Sequence, residues 1–130
     1  MRPIDFELER QIERAKNWLI ERNNIKAIEL LSKILDKNPT NDKAWLYLGI
    51  AKRRMGAYNE AIDCFRLATE HNKSLVEAWG LLALTLVDCG KLKNAKEILG
   101  NATLLNPHNA TIKFLQYNLL RFYKKYGPFF

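Results

Sequence analysis

Little in this sequence can cross-link the chain or hold a metal. The two cysteines, Cys64 and Cys89, form no Cys-x-x-Cys pair and no Cys/His cluster, so they read as reduced, buried small hydrophobes. His71 and His108 share no ligand spacing with each other or with a cysteine, which leaves no metal site to predict. Four prolines and six glycines are too few for a collagen-like or low-complexity chain. A phosphate-cradling glycine loop, an HExxH helix and a nucleophile motif are all missing. No enzyme and no cofactor are expected.

Long apolar runs are missing too. Nothing approaches the ~18 residues needed to span a bilayer, and MRPIDFELERQIERAKNW is charged from its second residue onward, unlike a secretory signal. The chain is therefore expected to be cytoplasmic, and the Asn-x-Ser/Thr sites at Asn72, Asn101 and Asn109 carry no weight. Acids are in deficit, with 14 Asp and Glu against 21 Lys and Arg, a net charge of +7. At 130 residues and 48% hydrophobic, the chain fits one soluble domain spanning 1–130 that folds without staples.

What the sequence does have is a repeat. DKAWLYLGIAKRRMGAYNEAIDCFRLA at 42–68 returns in thinner form as VEAWGLLALTLVDCGKLKNAKEILGNA at 76–102. A period of 34 places Trp45 over Trp79, Leu48 over Leu82, Gly56 over Gly90, Ala61 over Ala95, Phe65 over Leu99 and Ala68 over Ala102. A weaker first copy contributes Ala15, Ala27, Leu31 and Pro39. In the second copy Trp45, Leu48, Gly49 and Lys52 share one helical face, and Ala61, Phe65 and Ala68 share another beyond Gly56. Each unit is thus two helices joined by a short turn. Gly49 and Ala61 let the two backbones approach, while Trp45, Leu48 and Phe65 fill the flanks. Pro39 and Pro107 stop a helix, and Asn41 or Asp42 and Asn109 are natural caps for the next.

These positions resemble the tetratricopeptide repeat, whose W-x2-L-G-x2-Y, A-x3-F, A and P pattern recurs every 34 residues. The second unit departs with Lys52 for Tyr and Lys73 for Pro, the third has Ala83 for Gly, and the first has Gln11 for Trp. The resemblance implies an all-α, right-handed superhelical α-solenoid. Its parts are three helix-turn-helix repeats at about 8–41, 42–75 and 76–109, with a closing helix over about 110–126. It also implies a non-catalytic interaction module, an adaptor or scaffold that holds a peptide or partner segment in its concave groove.

In such a family the helix side away from Trp45, Leu48 and Gly49 faces the groove. That places Ile12, Leu46, Ile50, Leu84 and Val87 as an apolar strip bordered by Lys16, Lys43, Arg53 and Arg54, suited to a peptide with apolar and acidic residues. Some relatives clamp the terminal carboxylate of chaperone tails with Lys and Asn residues. The matching positions here hold Ile12, Lys16, Tyr47, Glu77 and Leu81, so that resemblance does not extend to the clamp.

The last segment, ATIKFLQYNLLRFYKKYGPFF, has four cations and no acid. Leu115, Leu119 and Phe122 fall on one helical line and Phe114, Tyr117, Leu120 and Tyr123 on the next, an apolar sector wider than a closing helix needs. Phe114, Leu115, Leu119, Phe122, Tyr123, Phe129 and Phe130 are therefore candidates for self-association as a homodimer or for fold-back of the tail. Contact with an anionic membrane would call for a cleaner charged face. The alternatives are a self-associating structural protein using this helix and a basic nucleic-acid-binding protein; against the latter, the charge is mild and no stacking motif is visible.

Overall fold

The computed structural model describes residues 5–126, which form seven helices: α1 (Phe6–Ile20), α2 (Asn24–Lys37), α3 (Asp42–Arg54), α4 (Tyr58–His71), α5 (Val76–Asp88), α6 (Leu92–Leu105) and α7 (Ala110–Tyr126). Each helix packs on the next, and α1 also touches α3 as α5 touches α7, so consecutive hairpins stack into an all-α helical-repeat solenoid.

The turns inside the hairpins are copies of one another. Residues 22, 56 and 90 all adopt positive φ, as Arg22 (62°), Gly56 (79°) and Gly90 (75°). In each, the following amide donates five residues back: Asn23 to Trp18 O, Ala57 to Lys52 O and Lys91 to Leu86 O, at 2.8 to 2.9 Å. This is the Schellman closure, which satisfies carbonyls that the helix end leaves open. Glycine adopts the left-handed conformation at no steric cost, whereas Arg22 is strained there.

The joints between hairpins also repeat. Asn38, Asn72 and Asn106, one period apart, each close the second helix of a unit with a backbone bond to the residue four before. Trp45 Nε1 donates to Pro39 O at 2.7 Å and Trp79 Nε1 to Lys73 O at 2.9 Å. The indole uses a main-chain oxygen, so the loss of proline at 73 is tolerated. Asn41 rather than Asp42 caps α3 through Ala44 N, and Asn109 caps α7 through Ile112 N.

The core divides in two around α3. Ala15, Leu19, Leu31 and Leu48 belong to one cluster; Leu46, Phe65, Trp79, Leu82, Leu99 and Leu119 belong to the other. Trp45, Tyr47 and Ile50 touch both. Among the described residues no helix is long and apolar enough to cross a membrane.

Candidate functional site

The first helices of the hairpins carry the residues on which a binding surface was expected. Between α1 and α3 lies an open depression of about 550 Å³. Its sides are charged, with Glu9, Glu13 and Asp42 alongside Lys16 and Lys43, and Tyr47 contributes its ring. Burial pushes the Tyr47 hydroxyl's pKa above its ordinary value; nearby Lys16 opposes this and Glu77 and Glu13 add to it. The tyrosine therefore stays neutral at physiological pH, a hydrogen-bonding rather than an ionic group.

The expected apolar strip is not continuous at this surface. Ile12 and Leu46 are buried, each in a different core cluster, and Ile50 is half-buried against both. Leu46 was expected to be open because its own hairpin leaves that side bare. It is closed because the neighbouring hairpin covers it.

The expected bordering arginines are also engaged. Arg53 Nη2 meets Asp88 Oδ2 at 2.6 Å, linking α3 to α5. Arg54 Nη1 donates to Leu19 O at 2.6 Å, linking the end of α3 to the end of α1. Both side chains act as ties between successive first helices. Lys16 and Lys43 remain exposed.

Of the strip, Leu84 is exposed and Val87 half-buried as Ile50 is. Leu84 and Val87 join Leu99, Leu115, Leu119 and Phe122 in lining a cavity of about 170 Å³ between α5, α6 and α7. Leu84 is 42% exposed at its mouth. Gly80 shapes this region: a Cβ there would lie 3.1 Å from Leu115 Cδ1, so its bareness admits α7 close to α5. Just outside, Arg121 and Lys125 share a shallow depression with Asn118 and Phe122.

This assigns the C-terminal candidates to two sides. Leu119 is buried and Leu115 and Phe122 are half-buried against the core, so these three face inward. Phe114, with Tyr117 and Leu120, is exposed on the other side. The Tyr123 side chain and residues Phe129 and Phe130 lie outside the described part.

The Cys64 thiol is buried and its pKa is pushed up to about 11 by that burial, the opposite of an activated nucleophile. Cys89 is free and half-buried, less enclosed than expected. Among the described residues no three His, Cys, Asp or Glu side chains converge as a metal site.

Residues 18–85 and 76–109 each match a family model described as tetratricopeptide repeat. The tetratricopeptide repeat protein 8 of Mus musculus is 38% identical over 64 residues, which is 49% of this chain and 12% of the mouse protein. The chain thus spans about an eighth of that relative's length. Among solved structures, the Sgt2 TPR domain from Aspergillus fumigatus aligns with a TM-score of 0.83 at 20% identity, covering 95% of this chain and 83% of that one. The Yersinia enterocolitica type III secretion chaperone SycD, in complex with a peptide of the translocator YopD, aligns at 0.78 and 19%, covering 91% and 90%. The first TPR of Spaghetti, bound to the HSP90 peptide SRMEEVD, aligns at 0.77 and 19%, covering 91% and 94%. At these identities the structures report a shared fold.

Proposed function

The chain belongs to the tetratricopeptide repeat family, and from that premise we propose that it is a non-catalytic protein-interaction module that holds a partner segment on the side formed by its first helices. The observation that carries this is the apolar cavity between α5 and α7, open beside Leu84. Its volume suits one aliphatic or aromatic side chain, and burying such an anchor supplies affinity without a polar cost. Arg121 and Lys125 next to it select a carboxylate adjacent to the anchor. The peptide complexes of SycD and of the Spaghetti domain support a peptide as the kind of ligand.

The α1–α3 depression plays a different part. Glu9, Glu13 and Asp42 stand beside its two lysines, so it does not favour a strongly acidic tail. Polar contacts to Lys16, Lys43 and Tyr47 orient the segment there, while Leu84 and Val87 anchor it.

A displayed random-peptide library panned on the full chain, with Leu84→Asp as the counter-target, tests this. Enriched peptides should share an apolar residue next to an acid and lose at least about tenfold in affinity on the variant. Peptides that bind the variant equally well would overturn the placement.

A further inference from the structure

The 34-residue register continues into α7. Asn109 caps it as Asn41 caps α3, and Ile112 is buried where Ala44 and Ala78 are. It therefore stands in the register of a first helix, and among the described residues no second helix follows it.

Equivalent positions show what this leaves bare. Leu46 is 2% exposed and Gly80 is buried, but Phe114 is 64% exposed. Ala83 is 3% exposed and Gly49 is buried, but Tyr117 is 61% exposed. Leu86 is 1% exposed, but Leu120 is 45%. Lys52, the α3 counterpart of Leu120, is half-buried and paired with Glu60, and at the other five equivalents in α3 and α5 the neighbouring helices cover the positions. In α7 they carry larger apolar side chains than at most of the equivalent sites, and these meet solvent, the opposite of what a solvated terminal helix needs.

We infer that this outward face of α7 docks one amphipathic helix of a partner protein, seated on Tyr117 and Leu120 where a second helix would lie, and that the partner helix carries a small residue at its centre and acids along its flanks. The centre follows from the crossing inside the second hairpin. There Gly49 is the hole and Phe65 the knob, with the ring 2.6 Å from where a Cβ on the glycine would lie. On α7 the bulky Tyr117 stands at the hole position, so the knob has changed sides and its partner must supply Gly or Ala.

The flanks follow from charge. Lys113, Arg121 and Lys124 interleave with the exposed apolar residues, Arg121 lies 5.9 Å from the Tyr117 ring, and residues 110–130 contain no acid. The same charge disfavours a second copy. A twofold contact through α7 would set one cationic face against another. This surface lies on the side of α7 away from the cavity beside Leu84 and shares with it Arg121 alone.

The test uses the full chain and a synthetic amphipathic helix of the length of α4 and α6, 14 residues. The peptide has an apolar face with a central Ala and Glu flanks; a control replaces Glu with Lys. Titration calorimetry should show the Glu peptide binding at least about tenfold more tightly than the Lys peptide. Tyr117→Ser with Leu120→Ser should abolish that binding while leaving the melting temperature near wild type, since both side chains are exposed. Leu84→Asp should bind as wild type does. Equal affinity for the two peptides, no binding of either, or binding untouched by the α7 variant overturns the inference. So does a wild-type dimer by light scattering that the α7 variant converts to monomer, or retention of anionic vesicles or single-stranded oligonucleotide in place of the peptide.

Discussion

The ring of Phe65 in α4 lies so close to Gly49 in α3 that a Cβ on the glycine would sit 2.6 Å from Cε1 and 2.8 Å from Cδ1. Phe65 is fully buried and cannot retreat into solvent. Gly49→Ala gains up to about 1 kcal/mol of helix propensity and loses about 1 to 3 kcal/mol through overpacking. The expected outcome in urea melts is a net loss of stability, where an uncrowded helical glycine would give a gain.

Arg22 holds a backbone conformation that glycine adopts at the two equivalent turns. Arg22→Gly should stabilise the chain by about 1 kcal/mol, because relief of left-handed strain exceeds the added freedom of the unfolded state. Gly56→Ala should destabilise by a similar amount. Thermal melts of both variants check the pair.

Leu46 and Leu84 stand at neighbouring register positions on successive first helices but differ in burial. Leu46→Ser leaves a cavity and an unpaired hydroxyl in the core, a cost of about 3 kcal/mol or more. Leu84→Ser should cost less than about 1 kcal/mol. Chemical denaturation of the two variants separates the core position from the exposed one.

Cys64 links stability to alkaline pH. Its thiol has a folded pKa of about 11 against an ordinary 9.0. The folded state therefore keeps a proton that the unfolded state releases, and the corresponding stability, complete below pH ~9, is lost as pH rises toward ~11. Cys64→Ala should flatten this part of the stability-versus-pH curve. In the native protein Cys89, half-buried, should react with a thiol reagent before Cys64.

Much of this architecture is legible in the residues. Trp45 over Trp79 and Gly56 over Gly90 announce the hairpins, and Gly49 with Ala61 announces the tight crossing, because such signals lie within one unit. Burial at Leu46 was not legible, since it is decided by the next hairpin. The engagement of Arg53 and Arg54, expected on the groove's border, was not legible either: Asp88 and the Leu19 carbonyl lie in the adjoining hairpins, at separations of 35 residues in each case. Two further signals lie in the residues themselves. Asn38, Asn72 and Asn106 are identical across all three units, and the line from Leu46 through Gly80 to Phe114 already marks where coverage ends.

The indole bonds to the inter-hairpin carbonyls have an optical consequence. Trp45 and Trp79 are each fastened to the loop that precedes their own hairpin, while Trp18 lies under the Lys26 ammonium, 4.6 Å from its ring centroid. The chain thus carries one tryptophan in each of its three hairpins. Two of them lose a hydrogen bond and gain water when the joint beside them opens, so single-tryptophan versions would record, by red-shifted emission, the order in which the stack comes apart.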